Sequence, residues 1–120
     1  MFLILNTKDE LLRLNIDKIV YFESDGNYIN VVMVNKLKNK VNCNLSQIEI
    51  ILADKLKERA TCFMRIGKRF IVNLNFVYSI CIHKQQLVVS DCVNFAYQLP
   101  ISKEALKMVK DLIFKNQFSE

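Results

Sequence analysis

The chain has little of what builds linkers, zinc sites or membrane spans. One proline and two glycines among 120 residues leave no material for long flexible linkers or low-complexity tails. Tryptophan is absent, and histidine occurs once, at His83. The four cysteines (Cys43, Cys62, Cys81 and Cys92) include no Cys-x-x-Cys pair. Zinc ligands usually arrive as closely spaced pairs, so no metal site is expected and the thiols should be reduced and packed in a core. No segment reaches the roughly 18 continuous apolar residues needed to span a bilayer. The start, Met1-Phe-Leu-Ile-Leu5, turns polar at Asn6 and lacks the basic residues and small-residue cleavage site of a signal peptide. A cytoplasmic protein with no membrane partner is expected.

What is present is ordinary for a globular domain: 52% hydrophobic and 24% charged residues, enough for one core and too short for a second. The whole of 1–120 is therefore expected to be one domain. Lys and Arg number 17 against 12 Asp and Glu, a formal charge of +5. That excess favours polyanionic partners, though only weakly.

Along the chain, Ile19–Phe22 is a short apolar run followed by Glu23-Ser-Asp-Gly-Asn27, where Gly26 can take the positive φ of a tight turn. Tyr28–Val34 is β-branched and predicts a strand. Asn35–Asn39 predicts a hairpin tip that returns through Val41 and Cys43. Ser46 and Glu49 have capping-box spacing, and Ile48, Ile51, Leu52 and Leu56 follow at helical spacing, predicting a helix over 47–57. A second capped helix is expected from Ser102, just after Pro100, with Leu106, Val109 and Ile113 on one face. Between the helices, the runs 62–66, 70–74, 77–82, 87–90 and 95–99 have the lengths of strands.

Nothing in this pattern carries catalysis. His83 lies at an expected solvated turn, Glu23 and Asp25 read as solvated turn carboxylates, and no glycine-rich phosphate loop is present. No enzyme activity and no cofactor are expected. Three polar clusters beside apolar runs remain. Asn27-Tyr28 combines an amide that can pair with an adenine edge and a hydroxyl that can reach a phosphate. Arg65, Lys68 and Arg69 surround Gly67, which permits a tight turn that projects the last two outward. Ser102-Lys103 opens a helix whose free amides favour an anion.

In this order the segments resemble the LytTR family of bacterial DNA-binding domains. The residues that carry the resemblance are Ile19-Val-Tyr-Phe-Glu-Ser-Asp-Gly-Asn-Tyr-Ile29, Leu45-Ser-Gln-Ile-Glu-Ile-Ile-Leu52, Phe63-Met-Arg-Ile-Gly-Lys-Arg-Phe-Ile-Val-Asn73 and Leu99-Pro-Ile-Ser-Lys103. They cover about 15–113 of the chain. Two positions depart from the pattern: Gly67 stands where His is frequent, and Arg69 where Ser is usual.

The resemblance implies a mainly β, elongated fold of small sheets with a short central helix and a C-terminal helix. It implies sequence-specific binding of double-stranded DNA by loops, in the output domain of a bacterial transcriptional regulator. Asn27 and Tyr28, Lys68 and Arg69, and Ser102 and Lys103 would lie in three contacting loops, with Lys107 adding a phosphate contact. Arg65 and Asn73 take structural roles first, and Arg65 also supports the loop or touches phosphate. Paired direct repeats bound by two copies are implied. The chain opens on its DNA-binding-like part, with no receiver or transmembrane domain, so input is expected from a sensor or second regulator protein. The alternative is a protein-interaction module that keeps the fold without DNA binding; three clusters facing apart would favour it. Neutralising roughly four to six phosphates would give log affinity against log salt a slope of about −4 to −5.

Overall fold

The computed structural model describes residues 1–57 and 62–118, with side chains described as far as 115. Among these residues ten strands and two α-helices follow in the order β1 (Phe2–Asn6), β2 (Leu11–Asn15), β3 (Ile19–Asp25), β4 (Tyr28–Met33), β5 (Lys38–Val41), α1 (Leu45–Leu56), β6 (Phe63–Ile66), β7 (Phe70–Asn73), β8 (Val77–Cys81), β9 (Gln86–Ser90), β10 (Ala96–Pro100) and α2 (Lys103–Phe118). They form three antiparallel sheets: β1-β2, the five-stranded β5-β4-β3-β7-β6, and β10-β9-β8. The molecule is elongated, 42 × 29 × 29 Å.

The five-stranded sheet is covered on both faces. Ile29, Val31, Met33, Ile71 and Phe63 point to one core, shared with Ile48 and Leu52 of α1 and Leu3 and Leu14 of the β1-β2 hairpin. Val32, Phe70, Val72 and Ile66 point to the other, with Leu87 and Val89 of β9 and Leu106 and Val109 of α2. A sheet buried on both faces needs apolar residues at successive positions, which is why Val31–Val34 reads as a continuous run rather than an alternation. A register shift between Ile19 and Tyr21 interrupts the β3-β4 pairing. It turns Val20 and Tyr21 to the same core, which strict alternation forbids.

The five runs expected as strands form β6 to β10 with ends displaced by no more than one residue. The hairpin tip is shorter than expected: β5 already starts at Lys38, and Lys36 (φ 74) makes the turn with Asn35 Oδ1 accepting from Leu37 N. Helix α1 starts two residues before its expected first turn, because Asn44 caps it in place of Ser46. Asn44 Oδ1 accepts from Gln47 N and Gln47 Oε1 accepts from Asn44 N, both at 2.9 Å, the reciprocal box that Ser46 and Glu49 were expected to form. Helix α2 begins as expected. The thiols differ from expectation: Cys43, Cys62 and Cys81 are half-buried, while Cys92 is exposed. Burial pushes the Cys43 thiol pKa up. His83 is exposed in the β8-β9 turn.

Asn73 holds the exit from β7. Its Nδ2 donates to Ile19 O at 2.9 Å and its Oδ1 accepts from Asn75 N at 3.0 Å, with the residue 2% exposed. Removing a buried polar partner leaves the other group unsatisfied, so Asn73→Ala is expected to destabilise the fold by about 1–3 kcal/mol. A lower urea midpoint with an unchanged slope would register it.

Candidate nucleic-acid interface

Two turns meet at one end of the central sheet. The β3-β4 turn is Gly26-Asn27, closed by the pair Asp25↔Tyr28, with Gly26 at φ +63. The β6-β7 turn is Gly67-Lys68-Arg69, closed by Ile66↔Phe70, with Gly67 at φ +68. Because β7 pairs with β3 through Phe70↔Glu23, the second turn lies beside the end of β3, and Ser24 N donates to Arg69 O at 2.9 Å. A Cβ at Gly67 would meet nothing within 4 Å. The glycine therefore answers the backbone angle rather than a steric limit, since positive φ strains a residue that carries a Cβ.

The β6-β7 turn and the start of α2 line one cleft of about 260 Å³, walled by Ile66–Phe70 and Pro100–Ser102. This brings Lys68, Arg69 and Ser102 together. Ser102 caps α2, its Oγ accepting from Ala105 N at 3.3 Å and its carbonyl from Leu106 N at 3.0 Å. The hydroxyl proton and the amides of Lys103 and Glu104 remain as donors at the positive end of the helix. Lys107 stands one turn along from Lys103, and both are exposed.

The first cluster divides. Asn27 is exposed on its turn, at the same sheet end as Lys68. Tyr28 is 43% exposed and lies under Lys40 Nζ at 5.5 Å; both line a different cleft with Thr7–Glu10 of the β1-β2 turn. Arg65 faces α1. Its Nη1 donates to Glu49 Oε1 at 2.8 Å and to Ser46 Oγ at 3.4 Å, and its Nη2 reaches Lys68 O at 3.5 Å. It joins the helix to the turn, the supporting role given first to it.

The two carboxylates expected to be merely solvated are engaged. Glu23 Oε2 accepts from Arg69 Nη2 at 2.9 Å. Asp25 Oδ2 accepts from Asn30 Nδ2 at 3.2 Å and lies 3.4 Å from Lys40 Nζ. The Asn30 hydrogen bond, then Lys40, holds the Asp25 carboxyl pKa below the usual range. Their sequence neighbours gave no sign of these contacts, since Arg69, Asn30 and Lys40 come from partners set by strand register. The ammonium group of Lys68 has no acidic partner among the described residues.

This is a small antiparallel β protein presenting turn-borne cations beside a helix N-terminus. The family model of the LytTr DNA-binding domain matches residues 9–114, and the chain belongs to that family. It is a family of DNA-binding regulatory domains, not of enzymes. Among solved structures, the LytTr DNA-binding domain of a protein described as a methyl-accepting/DNA response regulator from Bacillus cereus is similar. The identity is 21%, covering 93% of this chain and 95% of that one, with a TM-score of 0.66, which is a likeness of fold. A search of curated proteins returned no match. Among the described residues, no helix is long and apolar enough to cross a membrane.

Proposed function

We propose that residues 1–120 act as one domain that reads double-stranded DNA by sequence, with the β6-β7 turn as the principal reader and α2 as its phosphate anchor. The observation that carries this reading is the shared cleft of Ile66–Phe70 and Pro100–Ser102. The Lys68 ammonium, without an acidic partner among the described residues, and a helix N-terminus converge there, so one element can enter a groove while the other holds the flanking backbone. Lys68 then meets a base edge. Ser102, Lys103 and Lys107 take phosphates, and Arg69 adds a contact tempered by Glu23. Asn27 reads from the neighbouring turn. Tyr28, under Lys40, contributes at the rim, and Arg65 acts through the turn it supports. Two copies on paired direct repeats, and input from a sensor or second regulator protein, complete the regulator.

Selection of bound fragments from a pool of random duplexes tests this directly. A recovered motif occurring twice at fixed spacing in the same orientation is the expected result; recovery of no sequence above background overturns it. On the selected duplex, Lys68→Ala is expected to cost about 1–3 kcal/mol, concentrated at one base pair if the lysine meets a guanine edge. A loss equal on selected and scrambled duplexes would make Lys68 a phosphate contact instead.

A further inference from the structure

Five charged side chains crowd the β6-β7 turn, and two of its three cations are already matched. Arg65 is 2.8 Å from Glu49 and Arg69 is 2.9 Å from Glu23, while Lys68 has no acidic partner among the described residues. Three cations and two carboxylates leave this turn with a formal charge of +1 in place of +3. The two pairs differ in what they can offer a polyanion. Glu49-Arg65 ties α1 to β6 and braces the turn from within. Glu23-Arg69 lies on the turn itself, with the arginine side chain 57% exposed and the glutamate 20% exposed behind it. Glu23 takes one N–H of the guanidinium, and the fork has five.

A phosphate approaching Arg69 must therefore share it with a carboxylate fixed on β3 and largely shielded from solvent, where screening is weak. The pair is nearly neutral as seen from the duplex, so docking it releases few counterions. We propose that Glu23 sets the strength of sequence-independent DNA binding by holding back the charge of Arg69, leaving Lys68 as the dominant cation of the reading turn. The inference rests on the DNA-binding reading above and deepens it. Because non-specific affinity is almost wholly electrostatic, one arginine withheld removes a larger share of its binding free energy than of that for a preferred sequence, where base contacts also count.

Glu23→Gln keeps the shape of the side chain and an acceptor for Arg69 while removing the opposing charge. On a short random-sequence duplex, the slope of log affinity against log salt is expected to steepen by about 0.9. Affinity then falls about 3.5-fold more than the unsubstituted protein's across a fourfold rise in salt. Adding Arg69→Gln to Glu23→Gln is expected to abolish the gain, since the released charge is then gone. Glu23→Ala, which removes the same charge with no amide to place, keeps the inference open to test if Glu23→Gln folds poorly: the same steepening of the slope is expected. Duplex binding with an unchanged or shallower slope in both Glu23→Gln and Glu23→Ala, or a gain that survives the addition of Arg69→Gln, overturns the inference and leaves the DNA-binding reading standing. Failure of the unsubstituted protein to bind any duplex overturns both.

Discussion

A fourfold rise in monovalent salt is expected to weaken binding to a random-sequence duplex about 40-fold, a slope near −2.7. The figure follows from counting cations by their partners rather than by their presence in the sequence. Lys68, Lys103 and Lys107 are exposed and without acidic partners among the described residues. At about 0.9 counterions released per phosphate neutralised, three such lysines give the slope. The contacts that the family resemblance implies suggested four to six phosphates and a slope of about −4 to −5. The difference is chiefly the two arginines, each within 3 Å of a glutamate. Fluorescence anisotropy of a labelled duplex at several salt concentrations reads the slope directly. A salt-insensitive affinity would remove phosphate contact from the account, and a slope steeper than −4 would mean that Arg65 and Arg69 leave their glutamates on DNA.

How much of the site was legible follows from the range of the interactions that make it. Gly26 and Gly67 announce their turns because positive φ is a local demand that glycine meets at no steric cost. The α2 cap was legible for the same reason, Ser102 lying three residues before the amide it accepts from. The α1 cap was harder, because Asn44-x-x-Gln47 and Ser46-x-x-Glu49 offer the same local geometry. The tertiary partner decided between them: Arg65 lies against Ser46 and Glu49, and Asn44 closes the helix.

The ion pairs of Glu23 and Asp25 were not legible at all. Arg69 is 46 residues from Glu23, and only the β3-β7 register brings them together. The β1-β2 hairpin is a different kind of omission. Leu3, Leu5 and Leu14 are buried and Ile4 and Leu11 exposed, so the apolar pattern is blurred on both faces. The exposed face is shared with Arg13, stacked 3.5 Å over the Phe2 ring, and the signal of alternation is lost.

The largest loss of stability is expected at Phe22. Its ring is fully buried and lies 6.0 Å from Phe63, centroid to centroid, on the face of the central sheet that α1 covers. Truncating a buried phenylalanine removes its transfer free energy and leaves a cavity that neighbours fill only partly, costing about 3–5 kcal/mol. In a domain of this length that lowers Tm by roughly 10–20 °C. The position also matters for the site. Phe22 is the residue before Glu23 on β3 and pairs with Ile71, one residue past the pair that closes the β6-β7 turn. Its packing against Phe63 and the α1 face fixes the strand that carries the carboxylate for Arg69. Phe22→Leu, which keeps most of the volume, is expected to recover much of the stability. Calorimetric scans of the two variants check the order: a Phe22→Ala protein melting within a few degrees of the parent would mean that α1 closes over the gap.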